Sequence, residues 1–128
     1  MNDRLEAEIA LVRAAYPRLE YRDADGWARI SEYPVSGAVW GVSQVDLAFQ
    51  FPQLPGQPPY AFWVRPGLTL ASGAPIANYS YPVTTPFGSD FGQFSWSPDE
   101  WRPAADLRLG SNIRQWVDSF ALRLADGA

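Results

Sequence analysis

The sequence predicts an α+β domain in which a helix opens the chain, antiparallel strands follow and a second helix closes it. Three patterns carry this expectation. Leu5, Ile9, Val12 and Tyr16 recur at the spacing of one helix face. Val45, Leu47, Phe49 and Phe51 alternate with Asp46, Ala48 and Gln50, as in a strand with one buried face. Ile113, Trp116, Val117, Phe120 and Leu124 form a second helical stripe. Helical and strand periods occupy separate stretches, the arrangement of an α+β fold. No repeat or linker interrupts residues 1–128, so a single domain is expected.

The first helix is expected over 3–16. Asn2 or Asp3 supplies its N-cap, and Asp3, Glu6 and Glu8 place negative charge where the helix dipole favours it. Pro17 ends it. Asp23–Gly26 reads as a turn and Trp27–Tyr33 as a strand, with Trp27, Arg29 and Ser31 alternating against Ala28 and Ile30. Pro34–Gly37 is the next turn. Val39–Phe51 follows as one strand or two, with Gly41 marking a bulge or break. With Tyr60–Val64 beyond, these strands make a four-stranded antiparallel meander. Pro52, Pro55, Pro58 and Pro59 fix φ and remove N–H donors, so a rigid corner separates the last two strands. From Arg65 to Pro98 the periodicity fades into Gly, Pro, Ser and Thr. Tyr79, Tyr81, Phe87, Phe91, Phe94 and Trp96 nevertheless make this stretch too aromatic for a disordered linker. A long, ordered, irregular loop packed on the sheet is expected there. Ser111 is the expected N-cap of the closing helix, Gly127 its stop, and Trp116 a core residue.

Composition narrows the chemistry. The net charge of −4 and the scattered Arg residues offer no cluster for phosphate contacts, so no nucleic-acid partner is expected. No apolar run approaches the roughly 20 residues of a membrane span, and the start MNDRLEAEIA lacks the apolar core of a signal peptide. The expectation is a cytoplasmic protein with no membrane partner. The chain has no Cys and no His, and all ten basic residues are Arg. A thiolate nucleophile, a disulfide, a Cys or His metal site, an imidazole base and a Lys Schiff base are therefore excluded. Neither a cofactor nor a metal is expected. Asp99 and Glu100 are adjacent and would point apart in a strand, which suits a turn or helix start better than a paired-carboxylate site.

Taken in order, Phe51-Pro52, Pro55, Pro58-Pro59 and Phe62 resemble the FP-x-x-YP-x-x-PP-x-x-F segment of ubiquitin-conjugating enzymes (E2), one residue shorter and with Leu54 at the usual Tyr. Trp101-x-Pro103 resembles the W-x-P that precedes the family's closing helices. The resemblance extends from the first helix to the last and implies a UBC-like fold. Active members carry His-Pro-Asn and, ten residues after that His, the thioester-forming cysteine in a G-x-x-C setting. Here Thr85-Pro86-Phe87 and Gly92-Gln93-Phe94-Ser95 stand in those places, with Ser95 ten residues after Thr85. The resemblance implies an inactive variant, akin to non-catalytic or bacterial relatives, with Ser95 replacing the cysteine and Phe87 the oxyanion-stabilising Asn.

Three functional readings follow. The first is a non-catalytic E2-like adaptor that recognises a ubiquitin-like modifier, a conjugation-pathway partner or a peptide. Its contact residues would be Tyr60, Phe62 and Trp63 beside the corner, and Tyr79, Tyr81, Phe87, Phe91 and Phe94 in the loop. Aromatic residues carry a disproportionate share of interface energy, although for each ring taken separately burial in the core is the stronger claim. The second is an oxyester-forming enzyme centred on Ser95. It needs an activating base, and Asp90, Asp99 and Glu100 are the nearest carboxylates in sequence. The third is an unrelated accessory or immunity protein that docks a fixed partner through its aromatic loop.

Overall fold

The computed structural model describes residues 3–52, 57–98 and 100–126, and both end helices form as the apolar spacing predicts. Helix α1 (Asp3–Ala15) buries Ile9 and Val12 and ends just before Pro17. Helix α3 (Ile113–Asp126) buries Ile113, Trp116, Val117, Phe120 and Leu124. Its N-cap is Asn112 rather than Ser111: Asn112 Oδ1 accepts from Gln115 N at 2.9 Å, while Ser111 Oγ accepts from Arg102 N at 2.9 Å. Asn2, Leu54, Pro55, Asp99 and Gly127 lie outside the described residues.

Between the helices runs a six-stranded antiparallel sheet. Its strands are β1 (Leu19–Tyr21), β2 (Trp27–Pro34), β3 (Gln44–Gln50), β4 (Phe62–Arg65), β5 (Tyr79–Thr85) and β6 (Gly88–Phe94), in the order β1-β2-β3-β4-β6-β5. The first four lie in sequential order as a meander. The last two form a hairpin inside the stretch expected to be an irregular loop, and β6 inserts between β4 and β5. Four expected strands thus become six. The hairpin escaped the periodicity because β5 is an edge strand, mostly exposed and carrying Pro82, so it needs no alternating apolar residues. The expected strand start at Val39 is also corrected. Gly37–Trp40 is a helical turn, α2, and Gly41 is its left-handed C-cap at φ 76° rather than a bulge. That turn carries Trp40 into the core, where its Nε1 donates to Leu124 O at 2.8 Å.

The register separates two faces. Leu19, Ile30, Leu47, Val64 and Gly92 stand directly opposite one another across five strands on the helix-covered face. On the same face the Phe49 ring meets Trp116 and Phe120 edge-on, and Phe62 stacks on Phe120 at 4.1 Å. The opposite face carries the row Glu20, Arg29, Ala48, Trp63, Gln93 and Ser80, spanning all six strands. Pro59 is buried at the end of the proline corner, and Trp101 packs half-buried against the core.

One polar contact ties the helices together from inside. Glu8 of α1 is buried, and its Oε1 accepts from the first helical N–H of α3, Ile113 N, at 3.1 Å. Burial raises the Glu8 carboxyl above the usual 4.5, with the Ile113 N–H and the Arg4 charge pulling it partly back. The folded state therefore holds this proton more tightly than the unfolded chain. Its contribution is complete below 4.5 and is lost as pH rises through the raised folded value. Glu8→Gln keeps the acceptor and removes the buried charge, so its stability relative to the parent should rise between pH 4.5 and 7. Glu8→Ala orphans the Ile113 N–H and should cost about 1–3 kcal/mol at either pH. Urea unfolding of the three proteins at both pH values checks this; a parent-minus-Gln difference that does not change with pH would contradict it.

Candidate functional site

Strand β6 decides where the residues of the E2-like segment go. Thr85 pairs with Gly88 at the hairpin turn, whereas Ser95 follows the other end of β6, beyond the Tyr79–Phe94 pair. At about 3.3 Å per extended residue, Gly88 and Ser95 lie about 23 Å apart. The structure therefore does not bring Thr85-Pro86-Phe87 to Ser95. Thr85 is buried and shapes the turn: its Oγ1 accepts from Phe87 N at 3.1 Å and donates to Gly88 O at 3.3 Å.

Ser95 sits where three adjacent strands end. Ser95 N donates to Asn78 O at 2.9 Å, just before β5, and Ala61 N donates to Trp96 O at 3.1 Å, just before β4. Ala61 and Asn78 adopt left-handed φ values of 68° and 55°. Such a conformation costs a non-glycine residue roughly 1–2 kcal/mol and persists where surrounding bonds over-determine it. The described partner of Ser95 Oγ is the Tyr60 hydroxyl, which donates to it at 3.2 Å. That partner is another hydroxyl, not a carboxylate base. Among the described residues, no three His, Cys, Asp or Glu side chains gather as a metal site.

The aromatic contact residues divide by burial. Phe62, Phe91 and Phe94 are 0% exposed and are packing residues, not contact surface. Phe62 lies between Phe94 at 5.0 Å and Phe120 at 4.1 Å, filling the space under α3. Tyr79 is half-buried against Phe94, and its hydroxyl accepts from Leu68 N at 2.7 Å. Trp63 packs against Trp27 at 4.6 Å, with its Nε1 donating to Gln93 Oε1 at 3.1 Å. Tyr81 and Tyr60 remain open, at 57% and 62% exposure.

Phe87 and Phe91 reveal a second cluster, on the face that the helices leave uncovered. The hairpin turn reaches back over the sheet, so the Phe87 ring lies under Arg29 at 5.3 Å and its carbonyl accepts from Arg65 Nη2 at 3.2 Å. Arg65 also covers Phe91 at 4.7 Å. Each of the two arginines has a carboxylate neighbour: Glu20 at 2.8 Å from Arg29, and Asp90 at 3.7 Å from Arg65. Sequence reasoning singled out Phe87 and Phe91 but missed Trp27, Arg29 and Arg65. The alternation of Trp27 and Arg29 with Ala28 and Ile30 was the available signal.

Comparison with protein-family models, curated proteins and solved structures finds no match for this chain. Among the described residues, no helix is long and apolar enough to cross a membrane.

Proposed function

We propose that this chain is a non-catalytic, UBC-like adaptor that docks a ubiquitin-like modifier on the end of the sheet where Tyr60 meets Ser95. One observation carries the reading: Tyr60 is 62% exposed yet tied by its hydroxyl to Ser95 Oγ. A large ring held in place before binding loses little side-chain freedom on contact, and tyrosine is enriched among residues that dominate interface energy. The E2 resemblance puts the reactive centre at this same position. Its support is the order of parts: helix, four strands in sequential order with the proline corner before the fourth, and closing helix. The oxyester reading is disfavoured because the described partner of Ser95 Oγ is the Tyr60 hydroxyl rather than a carboxylate that could take its proton.

Titration of the isotope-labelled protein with a purified ubiquitin-like modifier tests the proposal. Tyr60→Ala should weaken binding about tenfold or more, at least ~1.4 kcal/mol, without lowering the melting temperature. Ser95→Ala should change affinity by less than about threefold, as expected for loss of one exposed neutral hydrogen bond. A base-labile, modifier-sized mass adduct on the parent that Ser95→Ala lacks would replace the adaptor reading with an esterifying one.

A further inference from the structure

Helix α3 carries a polar seam along the edge of its apolar stripe. Trp116, Ser119 and Arg123 stand three and four residues apart, which puts them on one side of the helix. Each aims a polar atom at the segments that flank the Tyr60–Ser95 contact. The Trp116 indole Nε1 donates to Trp96 O at 3.2 Å. Ser119 Oγ accepts from the Trp96 indole Nε1 at 2.9 Å and donates to Trp116 O at 2.5 Å. Arg123 Nη2 donates to Ala77 O at 2.7 Å, and its guanidinium lies 4.9 Å from the centre of the Phe94 ring. Arg123 is buried. A buried guanidinium is costly unless its N–H groups find acceptors, and the Ala77 carbonyl is one of them.

These anchors close on the docking platform. Trp96 O accepts a second hydrogen bond, from Ala61 N at 3.1 Å. Ala61 follows Tyr60, Trp96 follows Ser95, and the Tyr60 and Ser95 hydroxyls bond to each other. The four residues therefore form a closed ring of two peptide links and two hydrogen bonds. Beside the ring, Ser95 N donates to the carbonyl of Asn78, the residue after Ala77. Helix α3 thus grips the ring at Trp96 by two hydrogen bonds and the adjoining strand at Ala77 by a third. The left-handed residues Ala61 and Asn78 both lie at these grips. Such backbone persists only where its surroundings over-determine it.

We infer that Ser119 and Arg123, with the Trp116 indole between them, are positioning residues for the Tyr60 docking site. They touch no partner and act by fixing the ring of contacts that sets where Tyr60 points. The inference rests on the docking reading proposed above. A side chain held in its bound geometry by supporting hydrogen bonds has less freedom to lose on contact.

The test is native-state amide hydrogen exchange on the full chain, with Leu47 and Ala48 of the central strand β3 reporting global opening. Ser119→Ala should speed exchange at Ala61 by about fivefold or more beyond any change at Leu47 and Ala48, as expected for a lost hydrogen bond. Arg123→Met should do the same at Ser95. Ser119→Thr, which keeps the hydroxyl, should restore the parent rate. Both loosened variants should bind a purified ubiquitin-like modifier about threefold or more weakly. Ala61 and Ser95 changing only in step with Leu47 and Ala48, or Ser119→Thr behaving as Ser119→Ala, would overturn the inference. Selective loosening with unchanged affinity would overturn it too. A parent that binds no modifier would end the docking reading, while the exchange ratios would still decide whether α3 holds the platform.

Discussion

Replacing Phe62 by alanine should lower stability by about 3–5 kcal/mol, the range for truncating a fully buried phenylalanine. Phe62 is 0% exposed, stacked between Phe94 and Phe120, and is the ring through which β4 and α3 meet. Little can collapse into the space, because the neighbours on both sides are themselves large rings held by other contacts: Phe120 by Trp116 and Phe49, Phe94 by Tyr79 and Trp40. Tyr60→Ala, two residues earlier and exposed, should stay within about 0.5 kcal/mol of the parent. Urea unfolding of both variants separates a packing ring from a surface ring on one strand approach. A Phe62→Ala loss below ~1 kcal/mol would mean that β4 does not pack against α3 as described.

Gly92→Ala should be the next most damaging change, at about 1–3 kcal/mol, the usual cost of overpacking. Gly92 does not have a left-handed φ, so the requirement is for space rather than backbone freedom. A methyl group at this position would overlap the hydroxyl end of the Tyr79 ring. That ring cannot swing aside cheaply, since its hydroxyl accepts from Leu68 N and its face packs on Phe94. The two positions should therefore couple. In a Tyr79→Ala background, adding Gly92→Ala should cost less than about 0.5 kcal/mol, because the obstructing ring is gone. Equal cost in both backgrounds would show that something other than Tyr79 demands the glycine. The glycine that the E2 resemblance places three residues before the reactive position is thus accounted for here by a packed tyrosine.

Local pattern made several elements legible before any coordinates. The buried residues of α1 and α3 lie on their predicted apolar stripes, and Val45, Leu47, Phe49 and Phe51 all point into the core. Each of these elements buries one face against the rest of the domain, and burial imposes a period that a sequence must display. The β5–β6 hairpin shows the converse. An exposed edge strand is not required to alternate, and its partner β6 carries Gly92 and Gln93 where apolar residues would have signalled a strand. Similarly, Gly41 is a visible punctuation mark whose meaning, cap or bulge, depends on whether the preceding turn is helical.

The candidate sites divide in the same way. The chain's own residues determined what chemistry is impossible, because a side-chain inventory without Cys, His or Lys holds whatever the fold. They also identified the aromatic residues from which both a core and a surface would be made. Only the tertiary structure decided which were which: Phe62, Phe91 and Phe94 lie inside, Tyr60 and Tyr81 outside. It alone placed Thr85 at the turn of the β5–β6 hairpin and Ser95 beyond its open end, because a ten-residue spacing spans one distance in a loop and another in a hairpin. The polar seam of α3 had no sequence signature. Ser119 and Arg123 meet Trp96 and Ala77, 23 and 46 residues away in the chain, a coincidence of elements that no local pattern encodes.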